Sequence, residues 1–356
     1  MEIPIWHNIH PDFRLNGVAY DWDDLSEIGY SLVKEGNGYE IPMGDFLLDW
    51  ASDRPTLEVF TSGSTGKPKK IVLRKEHMVN SALATGEYFK LQPKHSALLC
   101  LPFMGIAGKM MLVRAMVLGL HLDYVEPSST PLKNNEKQYD FAAMVPLQVQ
   151  NSLEQLPQIK TLIIGGAPVS PKLKVKLSTI STMAYETYGM TETITHVAVK
   201  RLEKDSDGYF KVLPDVKISV DSRDCLVIEA PKISDNPIKT NDVVERVSDT
   251  GFRWLGRFDN VINSGGVKLI PEQIEAKLSK IIPGRFFVTG LPDETLGEKL
   301  VLVIEGNIVS DQLLYQVKLL KTLGRFEVPK EIKSIETFKE TPSGKIDKKA
   351  TLSVAR

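Results

Sequence analysis

The chain has 356 residues, of which 42% are hydrophobic and 25% charged, which is enough apolar material for more than one globular core. The 44 basic and 45 acidic side chains give a formal charge of -1, which excludes a general electrostatic attraction to nucleic acid or to anionic membranes. The apolar stretches are too short to span a bilayer, and Cys100 and Cys225 each lie in an apolar run that is typical of buried free thiols. We therefore expect a two-domain protein of the reducing cytoplasm, without a nucleic-acid partner or a membrane span.

A loop rich in hydroxyl groups and lysines directly follows the apolar segment LEVF. The loop consists of Thr61, Ser62, Gly63, Ser64, Thr65, Gly66 and Lys67. Its glycines let backbone N–H groups turn towards an anion, and its hydroxyl and ammonium groups add donors. A Walker A loop would instead require glycine at Thr61 and Ser or Thr at Pro68. The pattern predicts a phosphate-binding loop, and the alternative is a flexible Ser/Gly surface loop.

Alternating strand and helix signals continue from Ala97. Short apolar runs such as ALLCLP and MVLGL are separated by glycine and proline, a pattern that favours an α/β core. The clearest buried strand is TLII, which ends in a Gly-Gly turn, and open parallel sheets place ligand loops at such strand ends. These signals predict a first domain over residues 1–258.

A second series of strand and helix signals begins near Asp259. The segment VKLI is followed by a helix that Pro271 opens, strands over FFVTGL and EKLVLVIEG, and a helix over SDQLLYQVKLLKTL. This order predicts a compact α+β domain over residues 259–356. The short polar segment GRFDNVINSGG, at the junction of the two predicted domains, is expected to act as a hinge.

The hydroxyl-rich loop resembles the phosphate loop of the adenylate-forming superfamily, which includes acyl-CoA synthetases, luciferases and adenylation domains of peptide synthetases. Four further segments follow in the order of that family. The first two are the strand-end turn Gly165, Gly166, Ala167 and Pro168, and the motif Tyr188, Gly189, Met190, Thr191 and Glu192. The resemblance implies an adenylate-forming enzyme fold, with a large but shortened N-terminal α/β domain and a small mobile C-terminal α+β domain.

The same resemblance implies roles for individual side chains. The Gly-Gly-Ala-Pro turn lies beside the adenine, on which Tyr188 packs. Thr191 contacts the α-phosphate, and Glu192 helps to hold Mg²⁺, a hard cation that prefers oxygen ligands. The third segment, Thr240-Asn241-Asp242, resembles the Thr-Gly-Asp of the family. The resemblance implies that Asp242 accepts hydrogen bonds from both ribose hydroxyls. Asn241 stands where the family has glycine, and the turn is expected to survive because asparagine tolerates left-handed backbone.

The remaining matches lie near the predicted hinge and the C-terminus. Arg257 matches an arginine that reaches the ribose and phosphate, and its alternative is a surface salt bridge. Asp259 matches the hinge position of the family. The fourth segment, Pro342-Ser343-Gly344-Lys345, resembles the loop whose lysine serves the adenylation step. The alternative for Lys345 is a solubilising charge in a basic tail.

Within the superfamily, the 60 residues before Thr61 and the segments LPFMGIAGKMMLVRA and TETITH resemble the compact o-succinylbenzoate–CoA ligases of menaquinone biosynthesis. Gly105 occupies a place that often carries histidine or an aromatic residue at the substrate entrance, so we expect room for a bulky aromatic acyl group. Lys109 and Arg114 are then candidates to meet the second carboxylate of a diacid. A solvated helix face is the alternative for Arg114.

Three functions are compatible with these residues. The first is an acid–CoA ligase that uses ATP, Mg²⁺ and coenzyme A to convert a small carboxylic acid to an acyl-adenylate and then to an acyl-CoA. The second is an adenylation domain that loads a carrier-protein thiol or an amine, because the activation machinery is shared. The third is a non-catalytic nucleotide-binding protein, which would need neither Glu192 nor Lys345. The sequence predicts no oligomeric state.

Overall fold

The computed structural model of the chain describes residues 4–61, 69–204, 206–306, 310–341 and 346–353. Its α-helices are α1 (Leu25–Glu35), α2 (Ile41–Ala51), α3 (Lys75–Phe89), α4 (Ile106–Leu118), α5 (Pro146–Asn151), α6 (Pro171–Leu177), α7 (Pro271–Leu278), α8 (Ser310–Lys318) and α9 (Lys348–Ser353). Short 3₁₀ helices lie at Ile5–His7, Leu156–Gln158, Thr191–Thr193 and Phe258–Asn260.

The first fifteen strands are β1 (Arg14–Leu15), β2 (Val18–Ala19), β3 (Thr56–Thr61), β4 (Lys69–Arg74), β5 (Ser96–Leu99), β6 (His121–Tyr124), β7 (Tyr139–Met144), β8 (Ile159–Ile164), β9 (Met183–Gly189), β10 (His196–Arg201), β11 (Phe210–Val212), β12 (Lys217–Val220), β13 (Cys225–Glu229), β14 (Ile238–Ser248) and β15 (Gly251–Arg257). The last five are β16 (Ile262–Ser264), β17 (Val267–Leu269), β18 (Phe286–Asp293), β19 (Gly297–Glu305) and β20 (Glu331–Ile335).

Thirteen strands form one sheet in the order β12-β13-β14-β15-β11-β10-β9-β8-β7-β5-β6-β1-β2. The run from β9 through β8, β7, β5 and β6 to β1 is parallel. Strand β5 lies between β6 and β7. After β5 the chain therefore forms β6 on one side of it and then crosses to form β7 on the other side. A parallel sheet forms a ligand crevice at the carboxyl ends of its strands where the strand order reverses in this way.

The central parallel strands β5, β7 and β8 are buried on both faces. In β7, Phe141 and Ala143 belong to one hydrophobic core, while Ala142 and Met144 belong to the other. Side chains of α3 and α4 fill the first core, and side chains of α5 and α6 fill the second. Burial on both faces explains why these strands are continuous apolar runs in the sequence, and the predicted α/β class is confirmed.

An antiparallel extension, β10 to β15, continues the sheet on one side. The segment Thr240-Asn241-Asp242 lies inside β14, and Asn241 does not have a positive φ. The turn that the sequence suggested there is therefore absent, because Asp242 pairs with Arg257 of β15 and the segment stays extended.

A second sheet begins at Ile262 and has the order β17-β16-β19-β18, with β20 parallel to β19. Side chains of α7 and α8 pack on one of its faces. Helix α8 ends earlier than the apolar pattern suggested, at Lys318. No helix of the described ranges is long and apolar enough to cross a membrane.

Candidate active site

A cavity of about 230 Å³ lies at the carboxyl ends of the parallel strands. Leu101 lines it after β5, Val145 after β7 and Gly165 after β8, while Met190 and Thr191 line it after β9. These residues come from four separate segments of the sequence. The reversal of strand order at β5 brings the segments together at one edge of the sheet.

The predicted turn after β8 forms one wall of this cavity. Gly166 has φ +82°, a conformation in which glycine is not strained. Beneath the turn, the buried Glu186 carboxylate accepts a hydrogen bond from the backbone N–H of Val169 at 3.1 Å. Glu186 also lies 2.8 Å from Lys200 and 2.9 Å from Lys174. Burial by itself raises the pKa of Glu186, but the two lysines hold it below its usual value.

The loop after β9 places Thr191, which is half-buried, beside Glu192, which is exposed. The fully buried Thr193 fixes the loop, because its hydroxyl accepts from the backbone N–H of Met190 at 2.9 Å and donates to the Thr195 carbonyl at 2.6 Å. No local sequence signal distinguished Thr193 from the other threonines of the loop.

Ile194, directly after this loop, has φ +63° and ψ -59°. The hydrogen bond from Thr195 N–H to the Thr193 carbonyl, at 2.7 Å, closes a three-residue turn around it. This turn is rare and strained, especially for a β-branched residue. Burial of Ile194 in the hydrophobic core offsets the strain, which lies next to the residues predicted to contact phosphate.

A cluster of donors surrounds the carboxylate of Asp242, which is 6% exposed. The Tyr188 hydroxyl donates to Oδ2 at 2.7 Å, and the Trp254 indole donates to Oδ1 at 3.0 Å. The Arg257 guanidinium lies 3.6 Å from Oδ1. Burial and the neighbouring Asp242 charge raise the pKa of Tyr188, so its phenol remains a donor at neutral pH. Sequence reasoning did not identify Trp254.

Asp259 lies in the 3₁₀ helix between the thirteen-stranded sheet and the sheet that begins at Ile262, and two side chains of the described residues contact its carboxylate. The Asn241 amide lies 3.3 and 3.2 Å from its two carboxylate oxygens, and Arg257 lies 3.3 Å from Oδ2. Arg223 in turn donates to the Asn241 side-chain oxygen at 3.0 Å. Asn241, which stands where the resembling family has glycine, thus connects β14 to the predicted hinge position.

The two candidate cations of α4, Arg114 and Lys109, lie in different surroundings. Arg114 is 1% exposed and lines the cavity, so the suggestion of a solvated helix face is wrong for it. Lys109 lies on another side of the helix, where its ammonium donates to the Phe103 carbonyl and lies 5.7 Å from the centre of the Phe46 ring. The tentative assignment of Lys109 to the substrate therefore does not match its placement, because residues five apart on a helix face different directions.

Arg114 contacts only uncharged groups among the described residues. Its guanidinium lies 3.3 Å from Thr85 Oγ1, 3.4 Å from Thr195 Oγ1 and 3.5 Å from His196 Nδ1. Burial lowers the pKa of Arg114 to about 9, which leaves it charged at neutral pH. Burial and the neighbouring Arg114 hold the pKa of His196 well below its usual value, so the imidazole is neutral.

Several predicted site residues cannot be placed in the same way. Thr61 ends β3 and pairs with Lys69 of β4, so two antiparallel strands flank the predicted phosphate loop. Residues 62–67 of that loop and Lys345 lie outside the described residues. Gly105 precedes α4, where an added Cβ would meet only the Pro102 carbonyl oxygen, at 3.7 Å, so the backbone leaves open space.

A family model described as AMP-binding enzyme matches residues 35–226. Among curated proteins, the 2-succinylbenzoate–CoA ligase of Listeria monocytogenes is 26% identical over 354 residues, which cover 90% of this chain and 74% of the relative. The 2-succinylbenzoate–CoA ligase of Staphylococcus aureus is 26% identical over 374 residues and covers 95% of this chain and 74% of the relative.

The chain is also similar to solved structures. A Dyadobacter fermentans protein, described as similar to acyl-CoA synthetase (AMP-forming)/AMP-acid ligase II, is 36% identical. That match covers 93% of this chain and 98% of the other, with a TM-score of 0.62. o-Succinylbenzoate coenzyme A synthetase (MenE) from Bacillus subtilis, solved with ATP and magnesium, is 17% identical, with 92% and 82% coverage and a TM-score of 0.72. These similarities confirm the adenylate-forming fold that the sequence motifs suggested.

Proposed function

Because this chain belongs to the AMP-binding enzyme family, we propose that it is an ATP-dependent acid–CoA ligase that converts 2-succinylbenzoate to its coenzyme A thioester. In the first step the acid carboxylate attacks the α-phosphorus of ATP and pyrophosphate leaves. In the second step the CoA thiolate attacks the acyl-adenylate carbonyl and AMP leaves. The relatives named as 2-succinylbenzoate–CoA ligases support this substrate.

The observation that carries the choice of substrate is the buried guanidinium of Arg114. A buried charge is costly unless an opposite charge pairs with it, and no carboxylate of the described residues pairs with Arg114. A dicarboxylic substrate would supply the missing anion while its other carboxylate reacts with ATP. A guanidinium can bind a carboxylate through two parallel hydrogen bonds, which also orients the substrate.

The nucleotide roles are part of the same proposal. Tyr188 packs on the adenine, Asp242 accepts from the ribose, and Arg257 reaches the ribose and phosphate. Thr191 contacts the α-phosphate beside the acid. The hydroxyl-rich loop holds the β- and γ-phosphates, which leave together as pyrophosphate.

Magnesium fits the residues of this site. The described residues contain no group of three His, Cys, Asp or Glu side chains that could hold a metal ion by themselves. Mg²⁺ in nucleotide sites needs only one or two carboxylates in addition to phosphate oxygens and water. The exposed Glu192, adjacent to Thr191 on the cavity, meets that requirement. When bound, the ion would neutralise phosphate charge.

The proposal includes the cytoplasm as the location of the enzyme. Cys100 and Cys225 are both buried and free, as suits a protein that folds under reducing conditions. ATP and coenzyme A are the substrates expected in that compartment.

Product analysis tests the proposed function. Purified protein is incubated with ATP, Mg²⁺, CoA and either 2-succinylbenzoate, benzoate or a fatty acid, and nucleotides and thioesters are separated by chromatography. We expect AMP and thioester in equal amounts, with 2-succinylbenzoate the best substrate. AMP formation only with a carrier protein or an amine would support the second function, and absence of AMP would support a binding protein. Accumulation of ADP in proportion to thioester would contradict the assigned site.

The two-domain organisation, with rotation of residues 259–356 about Asp259, also remains a proposal. Such rotation would withdraw Lys345 after the first step and admit the thiol. The contacts of Asn241 with Asp259 are made in one arrangement of the hinge and would stabilise that arrangement over others.

We expect Asn241→Ala to change the ratio of the two half-reaction rates by about two- to fivefold, because the lost hydrogen bonds are exposed and each contributes about 1 kcal/mol or less. Rapid-quench measurements of adenylate formation, and of thioester formation from supplied acyl-adenylate, give the two rates separately. Asn236→Ala, in a loop before β14, serves as the control. Equal changes in both rates would show that Asn241 does not bias the hinge.

A further inference from the structure

The Asp242 carboxylate is oriented by donors from two different strands. Tyr188 lies at the end of β9, and Trp254 lies in β15. Their donors contact different oxygens of the carboxylate, at 2.7 and 3.0 Å. From its own backbone, Asp242 donates its N–H to Thr240 Oγ1 at 3.1 Å. Both the backbone and the side chain of Asp242 are thus held in place.

Orientation matters because the terminal torsion of aspartate is broad and roughly twofold, so an isolated carboxylate samples many planes. Two donors on separate oxygens fix one plane. A carboxylate has about four lone-pair sites, and these two donors occupy two of them. The Arg257 guanidinium, 3.6 Å from Oδ1, is beyond hydrogen-bond distance. One acceptor site therefore remains on each oxygen, which matches a pair of adjacent hydroxyl groups.

We propose that Trp254 is a positioning residue that, together with Tyr188, orients Asp242 so that its free lone pairs meet the 2′- and 3′-hydroxyls of the ATP ribose. This inference rests on the proposed role of Asp242 as the ribose acceptor. Trp254 itself does not need to contact the nucleotide. Its contribution is preference for ribose over deoxyribose, which lacks one of the two hydroxyls.

The test combines Trp254→Phe with removal of single ribose hydroxyls. Equilibrium dialysis measures the affinities of ATP, 2′-deoxy-ATP and 3′-deoxy-ATP for the full chain without acid or CoA. Phenylalanine keeps an aromatic ring but loses the donor to a carboxylate, so we expect about a tenfold or larger loss of ATP affinity. The affinity for the deoxynucleotides should fall less than the affinity for ATP, so the ratio of ATP to deoxy-ATP affinity should fall by at least about threefold. Trp6→Phe is the matched control, because the buried Trp6 indole N–H has no hydrogen-bond partner among the described residues, and it should leave this ratio unchanged.

The possible outcomes distinguish an error in the role of Asp242 from an error in the role of Trp254. If the unaltered protein binds ATP without preferring ribose, the role of Asp242 is wrong. If it prefers ribose and Trp254→Phe keeps the full preference, only the positioning role is wrong. An equal loss for all three nucleotides, with a lower melting temperature, would show that Trp254 serves packing. Tyr188→Phe removes the other donor and is subject to the same criteria if Trp254→Phe does not fold.

Discussion

Replacement of Lys345 by alanine is expected to slow acyl-adenylate formation by about 10²–10³-fold while ATP affinity stays nearly unchanged. We propose that the Lys345 ammonium bridges the acid carboxylate and the α-phosphate as negative charge develops between them. A compact charge placed there acts mainly on the transition state. Pyrophosphate release measured in a single turnover gives the rate, and equilibrium dialysis gives the ATP affinity.

The second half-reaction provides the internal control for Lys345. Thiol attack begins from an acyl-adenylate that already exists, so Lys345→Ala should convert supplied acyl-adenylate and CoA to thioester at a near-normal rate. Lys349→Ala, which alters an exposed lysine of α9, should leave both steps unchanged. Equal loss of both steps would mean that Lys345 serves folding or docking of the domain. Loss of neither step would support the solubilising basic tail.

Arg114→Met is expected to raise KM for 2-succinylbenzoate by about 10²–10⁴-fold and to leave KM for ATP within about threefold of its original value. The change removes the proposed partner of a buried carboxylate, and breaking such a pair costs about 3–5 kcal/mol. Activity towards an analogue whose second carboxylate is a methyl ester should fall much less. Steady-state kinetics with the two acids measure the difference. A larger effect of Lys109→Met than of Arg114→Met would reverse the assignment of the two cations.

The same substitution is expected to stabilise the protein in the absence of substrate. Among the described residues the buried Arg114 has only uncharged partners, so its desolvation is not compensated until a carboxylate binds. Methionine has no charge to desolvate and fits an apolar environment. We expect the free energy of unfolding to rise by about 1–2 kcal/mol, as measured by urea denaturation without ligand. Arg201→Met, at an exposed arginine paired with Glu203, should change it by less than about 0.5 kcal/mol. A loss of stability in Arg114→Met would show that the guanidinium is structural.

Opposite effects of one substitution on stability and on substrate affinity would mark Arg114 as a residue retained for function. Positions of this kind are common in binding sites, where an unpaired buried group is kept because the ligand completes it. Exposed cations, which water already solvates, should show no such trade-off.

The order of the motifs, the α/β class and the strand before the Gly-Gly turn follow from the sequence alone. A buried parallel strand requires an unbroken apolar run, and a residue at positive φ favours glycine, so both features are visible locally. The strand over Ile159–Ile164 and the turn at Gly166 are found where the sequence predicts them. The roles of the phosphate loop and of Lys345 rest on the same kind of local pattern and stay predictions.

Helix ends and the conformation at Asn241 could not be predicted in the same way. The apolar pattern continues beyond Lys318, but whether a helix continues depends on the neighbouring elements against which it packs. At Asn241 the residue type suggested a turn, while pairing of Asp242 with Arg257 keeps the backbone extended. Tertiary pairing therefore overrides a weak local preference.

The sequence by itself determined the order of the motifs and predicted which segments carry chemistry, because glycine, hydroxyl and charged residues at fixed spacing indicate local backbone and donor requirements. Only the tertiary structure decided which individual side chains meet. Arg114 and Lys109 are equivalent cations on one predicted helix, yet the packing of α4 on the sheet buries the first in the cavity and turns the second away. Trp254 is twelve residues from Asp242 in the sequence and becomes its hydrogen-bond donor through the pairing of β14 with β15. Contacts of this kind depend on strand register and helix rotation, which residue spacing along the chain does not specify.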